Sequence, residues 1–167
     1  HAMNGDKALI SQGGQLRGPF KLGVRYVLLD FKSRRATDLD LKADLASQPE
    51  PQIVSIEQFS EGNDDLGSIG CNLMEHPGVE VFRDTLMAVL RRPGVEAVYA
   101  QIAELDPGED CWPFTDTVFV AGRISADELS AAVARLQPDT VGSAEDFGIP
   151  PFIAERHNSP VLAIWWD

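Results

Sequence analysis

The six residues Val161-Leu162-Ala163-Ile164-Trp165-Trp166 are all apolar, and this run constrains the fold more than any other feature of the sequence. Successive side chains of a strand point to opposite faces of its sheet, so such a strand presents apolar groups on both faces. Both faces must therefore be covered. We expect cover from within the chain, by the N-terminal segment or the connection over residues 140–160, with a second subunit as the alternative.

Alternating or β-branched apolar runs predict four further strands, at residues 24–31, 53–59, 95–105 and 117–121. Two helices are predicted, one over residues 77–92 and one that begins after Ser125 and ends at Pro138, where Ser125 and Glu128 have capping-box spacing. From residue 53 onward the order is β-α-β-β-α-β, which is typical of the ferredoxin-like, or split βαβ, arrangement. The sequence therefore predicts an α+β fold: an antiparallel sheet of about five strands with two main helices on one face, plus an extra N-terminal strand.

The opening His1-Ala2-Met3 resembles a tag remnant followed by a start methionine, and residues 4–23 contain few apolar positions. We expect a loosely ordered arm over residues 1–23, a single α+β domain over residues 24–167, and a short helix near residues 38–46. No apolar run reaches the length of about 20 residues that a bilayer span needs, which favours a cytoplasmic protein. Cys71 and Cys111 lack metal-site spacing, so we expect reduced thiols and neither a metal nor a cofactor.

Charge is distributed unevenly along the chain, whose formal net charge is -12. Residues 1–42 contain eight Lys/Arg and four Asp/Glu (net +4), whereas residues 43–167 contain six and 22 (net -16). An acidic body repels nucleic acid and anionic membranes and attracts basic proteins. The charge therefore predicts a basic protein partner. The alternative is that the acidic residues serve only to keep the protein soluble.

The most distinctive run is the predicted hairpin connection over residues 106–116, which combines carboxylates, a thiol and two aromatic rings. A tryptophan flanked by acidic residues can anchor a basic protein surface. A solvated hairpin whose Trp112 and Phe114 fold back onto the sheet is the alternative, and the spacing of an EF-hand calcium loop is absent. The predicted binding residues, which include two acidic residues of an earlier loop, are Asp106, Glu109, Asp110, Trp112, Phe114, Asp116, Asp64 and Asp65.

A second set of residues has the types that nucleophilic catalysis needs, since a thiolate requires a nearby base and that base an orienting carboxylate. The set comprises Cys71, His76, Glu155 and His157. No known nucleophile motif surrounds Cys71. The alternative is that Cys71 fills space in a loop and that both histidines are ordinary surface residues.

Three functions from different classes follow from these features. The first is a non-enzymatic acidic module, such as a bacterial inhibitor or immunity-type protein, that binds a basic partner. The second is a small-molecule sensor or cysteine-dependent enzyme with a pocket near residues 140–160. The third is a structural homodimer subunit with Trp165 and Trp166 at its interface.

Overall fold

The computed structural model describes residues 38–167, so the arm over residues 1–23 and the strand predicted at residues 24–31 lie outside the described part. The described residues form an α+β fold with a five-stranded antiparallel sheet. No helix in this part of the chain is both long and apolar enough to cross a membrane. In chain order the elements are α1 (38–46), β1 (Ile53–Ser55), α2 (Ile56–Ser60), α3 (Val79–Leu90), β2 (Val95–Glu104), β3 (Phe114–Gly122), α4 (Ala126–Ala132), β4 (Thr140–Ser143), α5 (Pro151–Ala154) and β5 (Val161–Trp165).

The strands lie in the order β1-β2-β3-β5-β4, and every neighbouring pair is antiparallel. The hairpin of β2 and β3 confirms the two strands predicted around residues 95–121. The ferredoxin-like order is not confirmed. In a split βαβ unit another strand lies between the two strands that the helix connects, whereas here β1 and β2 are direct neighbours. The sequence analysis did not predict β4, which lies in the segment after α4 that was expected to be a connection.

The prediction of a strand over residues 53–59 is wrong in its second half. The chain leaves the sheet after Ser55, whose hydroxyl accepts a hydrogen bond from the Gln58 backbone N–H at 3.2 Å and caps α2. Ile56 and Phe59 stand three residues apart, so a helix buries both on one face, and each is at most 2% exposed. The cap and the helical spacing therefore outweigh the β-branched composition.

The first face of the sheet is covered by α3 and α4 and contains most of the core. Ser125 and Glu128 form the predicted capping box, each accepting a backbone hydrogen bond of the other at 3.1 Å. Trp166 lies in this core, where its indole N–H donates to the Leu136 carbonyl at 2.8 Å. Trp166 is therefore not available for the homodimer interface predicted for it, and Trp165 is half-buried.

The second face is covered by the connection between β4 and β5, as one of the sequence alternatives predicted. Ala144 and Ile153 of this connection pack against Phe119, Ala121 and Ala163 of the central strands. This cover explains why β5 is apolar on both sides: Val161 and Ala163 face the second core, and Ile164 and Trp166 face the first.

Candidate functional site

The two acidic loops predicted to form one patch are joined by a hydrogen bond. The Trp112 backbone N–H donates to Asp65 Oδ2 at 2.8 Å, and a bridge between Ile69 and Thr115 adds a second link. We call the resulting surface the acidic edge and define it by Asp64, Asp65, Asp106, Glu109 and Asp110. All of its carboxylates are exposed except that of Asp65, which is half-buried.

Trp112 does not supply the exposed anchor that the sequence suggested. Its side chain is 1% exposed, and its indole N–H donates to the Phe59 carbonyl at 2.9 Å. An indole that finds both a core and a hydrogen-bond partner is stabilised inside the protein, so it cannot contact a partner protein without unfolding. The alternative, that this ring folds back onto the domain, describes the structure.

Phe114 and Asp116 belong to β3, which begins at Phe114, and therefore do not lie in the two loops of the acidic edge. Phe114 is half-buried beside a small cavity next to Trp166. The half-buried Asp116 accepts a hydrogen bond from the Thr117 hydroxyl at 2.8 Å. The loop between β2 and β3 therefore ends before Phe114, earlier than the sequence suggested.

Asp65 has a structural function at the acidic edge. Besides the bond from Trp112, its Oδ1 accepts the Gly67 backbone N–H at 2.9 Å and caps a short 3-10 turn, Leu66–Ser68. A carboxylate with these backbone donors fixes the conformation of its loop. Asp65 therefore aligns the two loops.

Lys42 partly neutralises one end of the acidic edge. Its ammonium group contacts Asp106 at 3.0 Å and Asp38 at 3.3 Å. Burial lowers the pKa of Lys42, but the hydrogen bond that Lys42 donates to Asp106 and the charge of Asp38 outweigh it, and the pKa is raised overall. Lys42 therefore stays charged, and it also fastens the hairpin loop to α1.

The residues predicted for nucleophilic catalysis are not brought together. Cys71 is exposed in a loop, and His76 uses both ring nitrogens on the backbone, contacting the Ile69 carbonyl at 2.8 Å and accepting the Gly78 N–H at 2.9 Å. His76 also packs on Phe82 of the first core, whereas His157 packs on Tyr99 at the second. Glu155 is exposed, and no described contact joins it to either histidine.

His157 instead forms a polar triad with Glu96 and Tyr99, two residues that the sequence analysis did not select. Its Nδ1 lies 2.9 Å from Glu96 Oε1, and its Nε2 lies 2.8 Å from the Tyr99 hydroxyl. Because a carboxylate only accepts, Nδ1 carries the hydrogen, and in the neutral ring Nε2 accepts the phenol hydrogen. The triad can therefore relay a proton between a carboxylate and a phenol.

The electrostatics of the polar triad favour an ionised carboxylate and a neutral phenol. A hydrogen bond from Ser159 lowers the pKa of Glu96 most, and the bond from His157 lowers it further. Burial raises the pKa of Tyr99. The proton on the phenol therefore remains there at neutral pH.

A β-bulge explains why the polar triad is hidden in the sequence. Residues three apart in a regular strand point to opposite faces, which would separate Glu96 from Tyr99. The pairing of β2 with β3 shifts between Val95 and Ala97, and such a bulge reorients the side chain it contains. Both residues consequently reach His157, which comes from a distant part of the sequence.

The pH dependence of stability tests the bonds to Glu96. Since folding lowers the pKa of Glu96 from its ordinary value of 4.5, the folded state binds fewer protons than the unfolded state in this range. The stabilisation is therefore complete above that value and is lost as the pH falls. We expect Glu96→Gln to lower the free energy of unfolding at neutral pH, and the gap to wild type to shrink below about pH 4.

Urea denaturation at a series of pH values measures this gap. Glu155→Gln is the control, because it alters an exposed glutamate of the connection that carries His157 and Ser159, the two partners of Glu96. The control should change stability little at every pH. A gap for Glu96→Gln that stays constant down to about pH 3 would contradict the assignment.

Within residues 38–167, no group of three or more His, Cys, Asp or Glu residues is arranged to hold a metal ion. Comparison with protein families finds that the model of the Uncharacterized protein YfbO family matches residues 36–160, well over half of the chain. No curated protein and no solved structure matches.

Proposed function

The chain belongs to the YfbO family, and we propose that it is a non-enzymatic module that uses its acidic edge to bind a basic protein. The hydrogen bond from Trp112 to Asp65 carries the proposal, because it joins two acidic loops that are 47 residues apart in sequence. Aligned charges of one sign accelerate encounters with a partner of opposite sign and orient it.

The positions of the basic residues support the same proposal. All six basic residues after Lys42 are arginines, and none lies in the loops over residues 61–68 and 104–113 that form the edge. Three of these arginines lie on or just after α3, and the others follow β3, α4 and α5. Among residues 38–167, Lys42 is a basic residue that contacts the edge, at Asp106.

An exposed leucine provides apolar area beside the carboxylates. Leu66 follows Asp65 directly and is 56% exposed, although it is a large aliphatic side chain. Interfaces combine an apolar centre with a polar, charged rim. Leu66 thus takes the contact role that the buried Trp112 cannot fill.

An inhibitor or immunity-type protein of the bacterial cytoplasm is the concrete form of this proposal. A neutraliser of a basic active site or nucleic-acid-binding surface needs negative charge and shape, and it needs no catalytic group. The two free cysteines suit a reducing compartment.

The proposal is tested by comparing two triple variants that change net charge equally. Asp64→Asn, Glu109→Gln and Asp110→Asn neutralise the acidic edge and leave Asp65 intact, whereas Glu145→Gln, Asp146→Asn and Glu155→Gln neutralise exposed residues of the connection that covers the second face. A basic protein captured by wild type from lysate of the source organism is purified, and its Kd is measured with each variant at low and high salt.

We expect the edge variant to bind about tenfold more weakly and the control variant to bind within about twofold of wild type. Wild-type affinity should also fall as salt rises. Equal weakening by both variants, or binding that is unchanged by the edge variant and by salt, would overturn the proposal. Thermal unfolding of each variant separates a lost contact from a lost fold.

A further inference from the structure

A groove of about 230 Å³ runs between α3 and the segment formed by α4 and the 3-10 turn Ala134–Leu136. It is lined by Asp84, Thr85, Ala88, Val89, Arg92, Ala132 and Arg135. The two alanines leave space between the helices, and the two arginines of the lining come from different elements. The groove thus combines a small apolar patch with two exposed arginines and one carboxylate, Asp84, which Arg83 contacts.

Neither arginine of the groove forms a salt bridge with a residue from 38 to 167. Arg92 does act on a carboxylate at longer range, since its charge, after the hydrogen bonds of Ser125, helps to lower the pKa of Glu128. Other arginines here do find partners: Arg83 contacts Asp84 at 3.2 Å, and Arg156 lies 3.6 Å above the Phe152 ring. Guanidinium groups have a planar set of donors that suits the paired oxygens of an oxyanion. Arg92 and Arg135 therefore have their donors available to a ligand in the groove.

Thr85 adds a third donor to the groove. Its side chain is 7% exposed, and its hydroxyl is buried without a hydrogen-bond partner, which is a costly state for a polar group. Threonine on a helix has two accessible χ1 rotamers, so the hydroxyl can turn toward the groove without a backbone change. A ligand oxygen there would satisfy it.

We propose that this groove binds a phosphate group, held by the guanidinium forks of Arg92 and Arg135 and by the Thr85 hydroxyl. Three donors around a small cleft match a group with three terminal oxygens and a double negative charge. The groove lies between the helices of the first face, whereas the acidic edge consists of two loops, and the two proposals stand independently. The phosphate is free or belongs to a phosphomonoester, and both share the chemistry that these residues recognise.

Titration calorimetry of the full chain tests the proposal with two probes, inorganic phosphate and phenyl phosphate, at constant ionic strength. Saturable binding of either is expected. Tighter binding of phenyl phosphate would assign the apolar part of the groove to an organic substituent, and tighter binding of inorganic phosphate would assign the site to the free ion. No heat with either probe would overturn the proposal.

Three variants and one matched control locate the binding. Arg92→Gln and Arg135→Gln should each raise the Kd at least about tenfold, and Thr85→Val should raise it by about fivefold. Arg91→Gln removes the same charge from the neighbouring residue, which does not line the groove, and should change the Kd less than about twofold. Equal weakening by Arg91→Gln, or wild-type affinity in both groove arginine variants, would overturn the site.

Discussion

Replacing Trp112 with alanine is expected to lower the free energy of unfolding by about 3–5 kcal/mol, although the residue lies in an acidic loop. The side chain is 1% exposed and packs in the same core as Phe59 and Leu86. Its removal leaves a cavity in that core and leaves the Phe59 carbonyl without its indole donor. Urea denaturation followed by circular dichroism measures the loss.

Two further substitutions show which part of the tryptophan matters. Trp112→Phe retains most of the apolar volume and removes the donor, so we expect a loss of about 1–3 kcal/mol. Leu66→Ala, a change at an exposed position of the neighbouring loop, should alter stability by less than about 1 kcal/mol. If Trp112→Ala remained as stable as Leu66→Ala, the ring would be a surface group, and Trp112 would again be a candidate anchor for a partner protein.

This expectation changes the meaning of a binding experiment on Trp112. A loss of partner affinity in Trp112→Ala would follow from loss of the fold, because the buried indole holds in place the loop whose backbone N–H bonds to Asp65. Contact residues of the acidic edge are therefore better tested at Asp64, Glu109 and Asp110, which are exposed.

Elements with a local physical signal could be predicted from the sequence. The capping box at Ser125 and Glu128 lies in four consecutive residues, and the helix begins where it indicates. Because side chains of a strand alternate between faces, the apolar residues at all positions of β5 predicted that both faces of the sheet are covered. In the structure, the connection after β4 covers the second face. The α+β class followed from the order of these elements.

Features that depend on distant residues could not be predicted in this way. Composition gave no hint that Trp112 has an acceptor at Phe59, because that carbonyl is 53 residues away. The polar triad joins residues separated by 58 and 61 positions, and it requires a bulge that shifts Glu96 out of regular alternation. Of that site, only His157 had a residue type that attracts notice in a sequence.

Replacing Gly122 with alanine is expected to destabilise the protein by roughly 2–5 kcal/mol, the sum of a strained backbone and a steric clash. Gly122 pairs with Val95 at the end of the hairpin and has a φ of 138°, a value that L side chains rarely adopt. A Cβ here would meet the Gly94 carbonyl oxygen and would lie 2.8 Å from the Val95 Cα and 2.9 Å from the Glu96 nitrogen. These are backbone atoms, so rotation of a side chain cannot relieve the contact.

The clash falls on the bulge that orients Glu96, so Gly122→Ala should also disturb the polar triad. We expect the NMR signals of the His157 ring to shift in this variant and the dependence of stability on pH below about 4.5 to weaken, as in Glu96→Gln. Gly142→Ala is the matched control, since its Cβ would meet nothing within 4 Å and its stability should change by less than about 1 kcal/mol. If Gly122→Ala were as stable as Gly142→Ala, the backbone at the end of the hairpin would be able to move away from the added Cβ. The bulge would then not require a glycine at position 122.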